Sequence, residues 1–163
     1  MRKTLAAMVA IIAVATLIGT FVAAKGAKAA EPAKDGNFIA NSNGTVTDTR
    51  TKLMWAAKDN DSDINWTDAK AYCRNYRGGG YKDWRMPTQD ELAGLYDKEK
   101  AYPSSCGTDV RLTRLIRLTC HWLWASETGG DAAAGYNFAD GDRFTTSQSG
   151  ANKFRVLPVR SGK

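Results

Sequence analysis

The segment RLTRLIRLTC, residues 111–120, places an arginine at every third position. Guanidinium groups bind sulfate and carboxylate through two parallel hydrogen bonds, so arginines that project together suit acidic polysaccharides. The basic residues that we expect to share such a ligand-binding face are Arg111, Arg114, Arg117, Lys153 and Arg155, with Arg160 adding charge nearby. A short amphipathic helix or turn would group the three arginines of the first segment, and an extended strand is the competing structure. An ordinary solvated arginine surface is the alternative to a binding face.

Tryptophans form the second group with binding chemistry, because an exposed indole ring can stack on a sugar. The chain has five, namely Trp55, Trp66, Trp84, Trp122 and Trp124. Each falls within an apolar pattern, which favours burial in the core. We therefore predict that most of them are structural and that one or two are partly exposed.

Oxygen ligands of the kind that calcium prefers occur around residue 140. They are Asp131, Asn137, Asp140 and Asp142. The Asp-Gly-Asp sequence within this group is equally typical of a hairpin turn. Neither of the triplets found in calcium-dependent lectins, Glu-Pro-Asn and Trp-Asn-Asp, occurs in the chain. We favour the turn and predict no metal site here.

A zinc or thiol site would need Cys73, Cys106, Cys120 and His121 to converge. His121 is the only histidine, and neighbouring side chains on a strand diverge, so we expect Cys120 and His121 to point apart. Serine-histidine-aspartate catalysis lacks the glycine pattern of a nucleophile elbow. The sequence thus predicts no catalytic residue, no metal and no cofactor. A thiol or metal enzyme that uses Cys73 is a remote alternative.

Three cysteines predict one disulfide and one free thiol in an exported chain. Cys106 and Cys120 bracket a short segment and are the favoured pair. Cys73 lies within a predicted helix, where a small buried hydrophobe is the simplest role. Because spacing does not fix connectivity, a pairing that involves Cys73 stays open at this point.

The clearest helix is predicted in NWTDAKAYCRNYRGGG, residues 65–80. Trp66, Ala69, Cys73 and Tyr76 fall on one apolar stripe. Asn65 or Thr67 can cap the start of this helix, and the glycines at 78–80 end it.

The segment GGYKDWRMPTQDEL, residues 79–92, predicts a rigid corner between an extended segment and a second helix that runs to about Lys98. Thr88 and Glu91 form a capping box, and Pro87 lies just outside the helix, where its missing N–H costs nothing. We expect Trp84 to pack against the second helix and Arg85 to be held by a carboxylate or by backbone carbonyls. The residues assigned to the framework are Trp66, Cys73, Trp84, Arg85, Pro87, Thr88 and Glu91.

Strands account for most of the remaining pattern. Residues 44–55 predict two short strands joined by a polar turn, and residues 122–127 alternate as a strand. A hairpin is predicted around Asp140-Gly141, and FRVLPVR, residues 154–160, closes the chain as one strand. With two early helices and mostly late strands, the predicted class is α+β.

The first residues carry a secretory signal pattern, with Arg2 and Lys3 before an apolar run and small residues at a cleavage site after Ala29. We divide the chain into a signal peptide (1–29), a linker (30–43) and one domain (44–163). Four of the 23 lysines and arginines lie in the signal, which leaves 19 against 17 acidic residues and a net charge of +2. Nucleic-acid binding therefore loses its main support. An uncleaved signal anchor is the alternative, and it would be the protein's only contact with a membrane.

Five motifs in order, GTVTDTRTKLMW, WTDAKAYC, GGYKDWRMPTQDEL, WLWASE and FRVLPVR, resemble the C-terminal domain of the collagen-like adhesin Lcl over residues 44–160. This resemblance implies a C-type-lectin-like fold, related to that of formylglycine-generating enzymes, in which two helices flank a mainly antiparallel, twisted sheet and the chain ends lie close together. Some members have a cysteine in the last strand that could pair with the helix cysteine. Its absence here supports a free Cys73 and a bridge between Cys106 and Cys120.

The leading hypothesis is a secreted, non-catalytic binding module located in the periplasm, outside the cell or on its surface. The resemblance to an adhesin indicates an acidic or sulfated glycan as one ligand class, and a cell-surface protein partner is the other. A structural or assembly subunit of an exported surface complex is the rival function.

Overall fold

The computed structural model describes residues 31–162, and the predicted signal peptide lies outside these residues. The described chain is an α+β protein with two α-helices and mostly antiparallel sheets. The helices are α1 (Trp66–Asn75) and α2 (Gln89–Ala93), and a 3₁₀ turn spans Gly78–Gly80. The strands are β1 (Lys34–Asp35), β2 (Phe38–Ala40), β3 (Thr45–Asp48), β4 (Leu53–Ala56), β5 (Tyr102–Pro103), β6 (Asp109–Val110), β7 (Trp122–Gly129), β8 (Ala132–Asn137), β9 (Arg143–Ser147), β10 (Phe154–Arg155) and β11 (Val159–Ser161). Within this range no helix combines the length and the apolar character that a membrane crossing requires.

The first sheet has the strand order β1-β2-β3-β4-β11, and its neighbours are antiparallel. The hairpin predicted within residues 44–55 is confirmed, with Val46 of β3 opposite Trp55 of β4. Asp48 holds the turn between these strands by accepting the Thr51 hydroxyl hydrogen at 2.7 Å. The first and last strands of the described chain thus belong to one sheet and form its opposite edges.

Residues 30–43, predicted to be a linker, supply two strands of this sheet. Gly36 makes the turn between β1 and β2 with a φ of 59°, and β2 continues the sheet by pairing with β3. Phe38 packs against the main core. The linker prediction was wrong because strands of two and three residues are too short to show a periodic pattern.

The second sheet has the order β10-β7-β8-β9, with β10 parallel to β7 and the other pairs antiparallel. The hairpin predicted around Asp140-Gly141 is present as β8 and β9. The single closing strand predicted for 154–160 is instead two strands, β10 and β11, which belong to different sheets. Every residue from 154 to 160 is buried, so the alternation expected of one half-buried strand does not hold.

The two helices pack on opposite faces of the second sheet. Trp124 of β7 lies in one apolar cluster with Trp66 of α1, and Leu123 lies in another cluster with Leu92 of α2. Neighbouring residues of a strand point to opposite faces, which explains this division. Helix α2 is shorter than predicted, since it ends at Ala93, and the Gly94 N–H completes its last turn by donating to the carbonyl oxygen of Asp90.

Residues 111–120 form turns, so the short helix predicted there as one option is absent. Leu112, Ile116 and Leu118 are all fully or almost fully buried in this segment. The Tyr102 hydroxyl donates to the Ile116 carbonyl oxygen at 2.5 Å and accepts from the Leu118 N–H at 3.0 Å. A side chain thereby satisfies the backbone groups that a helix would have paired. Burial raises the pKa of Tyr102 to about 12, so its phenol is neutral and free to do this.

Candidate functional site

Arg155 is the predicted ligand-binding residue that the structure most clearly reassigns. It is 9% exposed, and its Nε donates to Thr119 Oγ1 at 2.9 Å. Its Nη1 donates to the Phe154 carbonyl oxygen at 3.0 Å and forms an ion pair with Asp63. The assignment of Arg155 to a ligand-binding face was therefore wrong, because its guanidinium group is a buried part of the framework.

Arg160 is buried in the same way. Its Nε and Nη2 donate to the two carboxylate oxygens of Asp83 at 2.7 and 3.0 Å. The guanidinium carbon lies 3.9 Å from the centroid of the Tyr81 ring. Arg160 was expected to add charge near the ligand-binding face, and its burial against Asp83 and Tyr81 makes it part of the framework instead.

The remaining basic residues of the predicted face do not act as one group. Arg111 is half-buried, and its guanidinium donates to the carbonyl oxygens of Ala139 and Lys98, both at 3.0 Å. Lys153 is exposed, but it does not line the shallow pocket that Arg114 and Arg117 share.

Arg114 and Arg117 are the two exposed arginines that the structure brings together. They line a shallow pocket beside Tyr102 and Pro103. Both side chains are exposed, and Arg114 also donates to the Ala101 carbonyl oxygen at 3.3 Å. Tyr102 is the one aromatic residue among those that line this pocket. This arginine pocket fits the alternative interpretation of an ordinary solvated surface.

Cys106 and Cys120 form the predicted disulfide. The His121 Nδ1 lies 3.7 Å from each of the two sulfurs, so the expected divergence of residues 120 and 121 was wrong. In the described chain, these three residues are the one group of at least three candidate ligands close enough to share a metal ion. Zinc binds thiolates, and sulfurs bonded to each other in a disulfide do not supply them. Burial, with the charge of Lys153, holds the pKa of His121 below its usual value.

The acidic loop is built as a turn, in agreement with the favoured interpretation. Asp140 accepts from the Asn137 side-chain amide at 2.7 Å and from the Asp142 N–H at 3.0 Å. The Asn137 side-chain oxygen accepts in turn from the Ala139 N–H at 3.0 Å. These bonds give the Asp140 side chain a structural role, and Gly141 takes the φ of 89° that the turn requires.

Cys73 is the free cysteine, and it is fully buried in α1 against the second sheet. Burial raises the pKa of its thiol, which keeps the nucleophilic thiolate form scarce. This environment matches the predicted role of a small apolar core residue.

The corner at residues 79–92 has the predicted capping box. Thr88 Oγ1 accepts from the Glu91 N–H at 3.1 Å, and the Glu91 carboxylate accepts from the Thr88 N–H at 2.9 Å. Arg85 donates to both carboxylate oxygens of Glu91, at 2.6 and 2.7 Å. Burial alone would favour the neutral acid, but the hydrogen bonds from Arg85 and Thr88 hold the pKa of Glu91 below its usual value.

Trp84 is buried, as predicted, and its ring contacts lie at the end of α1 and in the glycine turn. Its ring meets the ring of Tyr76 edge to face at 5.1 Å, and its Nε1 donates to the Gly78 carbonyl oxygen at 3.1 Å. Gly79, with a φ of 64°, lets the chain turn back so that this carbonyl reaches the indole. Helix α1 itself ends earlier than the predicted glycine stop, at Asn75, because Tyr76 is already extended. The triple glycine instead forms the 3₁₀ turn whose carbonyl oxygen binds the Trp84 indole.

A cleft of about 450 Å³ opens beside this corner. We call it the corner cleft, and it is lined by Trp66, Lys70, Arg74, Trp84, Arg85, Met86, Thr88 and Ser126. Lys70 and Arg74 are exposed on successive turns of α1, and the Lys70 Nζ lies 5.0 Å from the centroid of the Trp66 ring. Across the described residues, neither cation has a carboxylate partner. Arg85, by contrast, is neutralised by Glu91.

Sequence reasoning assigned the tryptophans of this cleft to the framework and did not consider Lys70 or Arg74 as ligand-binding residues. A signal was present, because the two cations are four residues apart on the polar face of a predicted helix. Lys70 and Arg74 lie beside two tryptophans only because the glycine turn brings Trp84 next to α1. The structure therefore moves the best candidate site from the arginine segment to the corner.

A family model described as the Lcl C-terminal domain matches residues 44–160 of the chain. Comparison with curated proteins finds no match. The matched range begins at Gly44, just before β3, and ends at Arg160 within β11, so it includes both helices and the whole corner cleft.

Proposed function

The chain belongs to the family of Lcl C-terminal domains, and we propose that it is a secreted, non-catalytic binding module that holds an acidic glycan in the corner cleft. The observation that carries this proposal is the pair of cations, Lys70 and Arg74, which lie beside the tryptophans of the cleft and have no carboxylate partner among residues 31–162. Each cation is exposed, so its charge is available to a ligand without the loss of an ion pair.

The chemistry of an acidic sugar matches both parts of this cleft. A sulfate or carboxylate group accepts hydrogen bonds from lysine and arginine, and the charge makes these bonds about twice as strong as neutral ones. The carbon–hydrogen faces of a sugar ring pack on apolar and aromatic edges, here those of Trp66, Trp84 and Met86. The volume of about 450 Å³ lies within the usual range for small-ligand sites.

A C-type-lectin-like fold is the architecture that we propose for the domain. Family membership supports it, as does the sheet that contains both the first and the last strands of the described chain. Two helices flanking the second sheet agree with the same proposal. The disulfide supports export, because such bonds persist in oxidising compartments.

The absence of catalysis is part of the proposal and has two supports. Cys73 has a buried thiol with a raised pKa, and His121 packs between a disulfide and the Trp122 ring. Neither group faces the corner cleft. The groups that do line the cleft bind ions and apolar surfaces, which is the chemistry of recognition.

A glycan array at low and high salt tests this proposal. The protein should bind acidic glycans, and binding should weaken as salt rises, because the attraction between exposed charges is screened. Replacement of Lys70 and Arg74 by glutamine should weaken binding at least tenfold, since the loss of even one charged hydrogen bond, worth roughly 1.5 kcal/mol or more, corresponds to about a factor of ten.

The matched control removes two exposed arginines elsewhere, by the double change Arg114→Gln and Arg117→Gln. This variant should bind as the unmodified protein does. If the control loses binding and the Lys70 and Arg74 variant keeps it, the arginine pocket is the site. If the protein ignores every acidic glycan, glycan recognition in the corner cleft is refuted, and an assembly role with a protein partner takes its place.

A further inference from the structure

A second cleft, of about 410 Å³, lies on the second sheet and shares no lining residue with the corner cleft. Three aromatic rings, Trp122, Phe144 and Phe154, line it together with polar side chains. We call these three rings the aromatic shelf. Trp122 and Phe144 are half-buried, so part of each ring faces solvent. Of the five tryptophans, Trp122 is the one that the fold leaves partly exposed.

The shelf is rigid because its rings are packed from below. Phe154 stacks on the buried Trp124 ring with centroids 4.2 Å apart and planes 14° apart. Phe154 in turn contacts Trp122 and Phe144, with centroid distances of 5.4 and 5.7 Å. The two outer rings are therefore held by one fixed ring between them.

Gly135 explains how Phe144 can lie over the sheet. A Cβ atom at this position would come within 2.3 Å of the Phe144 ring. The ring thus occupies the space above the central strand that any other residue would fill. Gln89 fixes the backbone beneath it, since its side-chain amide donates to the carbonyl oxygens of Gly135 and Phe144 at 2.7 and 3.1 Å.

The rim of this cleft carries hydrogen-bonding groups without a net positive charge. Asp142 is exposed, and within the described chain its carboxylate has no cationic partner. Arg143 is paired with Asp90 at 2.5 Å, and Asn137 is held within the turn. A free carboxylate at the rim repels an anionic ligand, so an acidic glycan of the kind proposed for the corner cleft does not fit here.

We propose that the aromatic shelf is a second carbohydrate site, which binds a neutral pyranose ring. The apolar face of such a ring packs on Trp122 and Phe144, and its hydroxyl groups donate to Asp142 and accept from Arg143. This pattern of an aromatic surface with a few polar groups at the edge is the usual composition of a small-ligand site. The site is independent of the acidic-glycan proposal, because the two clefts use different residues and opposite charge preferences.

The test uses three neutral probes, cellohexaose, maltohexaose and chitohexaose, with titration calorimetry and tryptophan fluorescence on the full chain. At least one probe should bind, and its affinity should not change with salt. Trp122→Ala should weaken binding about tenfold, the upper end expected for one ring contact, and Trp122→Phe should restore part of it. Asp142→Asn should weaken binding less.

Phe144→Leu keeps apolar volume but removes the second ring, so it tests the shelf even if Trp122→Ala disturbs packing. It should weaken binding by about threefold or more. The double change Lys70→Gln and Arg74→Gln is the matched control and should leave neutral-sugar affinity unchanged. If that double variant is the only one that no longer binds the neutral probes, the corner cleft binds them and the shelf proposal is wrong. This conclusion holds whether or not the protein binds acidic glycans.

Two further results would overturn the shelf proposal. One is the failure of all three probes to bind. The other is a change in the mass of the protein on light scattering when Trp122 is replaced, which would make the shelf a contact between copies of the chain.

Discussion

Arg155 should be essential to stability and irrelevant to ligand binding, the reverse of its role in the predicted arginine face. The change to make is Arg155→Met, because methionine keeps most of the apolar volume and removes only the guanidinium group. Its ion pair with Asp63 adds little, since that carboxylate is half exposed. The cost comes from the buried bonds to Thr119 and to the Phe154 carbonyl oxygen. Removal of the donor leaves these acceptors short of a partner, and we expect a loss of about 3 kcal/mol at pH 7.

A buried carboxylate makes this loss depend on pH. Asp59 is 1% exposed, and burial raises its pKa, while hydrogen bonds from Thr119 and the nearby Arg155 charge oppose that shift. An acid whose pKa is raised in the folded state destabilises the fold when it is ionised. This destabilisation is absent below the pKa of 3.8 that the acid has in the unfolded chain, and it is complete above the raised pKa of the folded protein. Without Arg155 the pKa of Asp59 should rise further. The Arg155→Met variant should therefore lose more stability at pH 7 than at a pH just above 4.

Urea unfolding at the two pH values measures both effects. Arg117→Met is the matched control, because it removes an exposed arginine from the same predicted face, and its stability should change by less than about 0.5 kcal/mol. If Arg155→Met unfolds at the same urea concentration as the unmodified protein, the buried network is not a source of stability. A loss of equal size at both pH values would show instead that Asp59 is not coupled to Arg155.

Three shorter predictions concern the capping box, the free thiol and the histidine. Thr88→Ala should lower the free energy of unfolding by about 1 kcal/mol through the lost cap, and Thr88→Ser, measured in the same urea experiment, should retain most of it. Without reductant, an alkylating reagent should label Cys73 alone and only after unfolding, whereas label on Cys106 in the folded protein would contradict the disulfide. The His121 pKa, read from its ring signals by NMR, should lie below 6.5. A base with a lowered folded pKa favours the fold above its unfolded pKa, so stability should fall as pH drops below 6.5, and in His121→Gln this decline should be reduced.

Local sequence signals predicted the parts of the fold that are held by near neighbours in the chain. The capping box of Thr88 and Glu91 depends on residues three positions apart, so the sequence was sufficient to predict it. The turn after β3 is of the same kind, since Asp48 binds groups two and three residues later.

Contacts between distant segments explain the errors. Arg155 was grouped with other arginines because its burial depends on Asp63 and Thr119, which lie 92 and 36 positions away. The turns at 111–120 depend on the Tyr102 hydroxyl, and the edge strands β1 and β2 depend on pairing with β3. None of these partners can be identified from a local pattern. The spacing of the arginines in residues 111–120 is compatible with a helix and equally with the turns that form.

The sequence did not point to the corner cleft for a more specific reason. Trp66 and Trp84 were assigned to the framework, and they are indeed buried, yet their edges line the corner cleft. The charge of the cleft comes instead from Lys70 and Arg74, exposed side chains that the fold does not need. We therefore expect stability and the proposed ligand preference to reside in different residues of one small region. If the corner cleft binds an acidic glycan as proposed, substitution of Lys70 or Arg74 should change which ligand charge is favoured and leave the core contacts of both tryptophans in place.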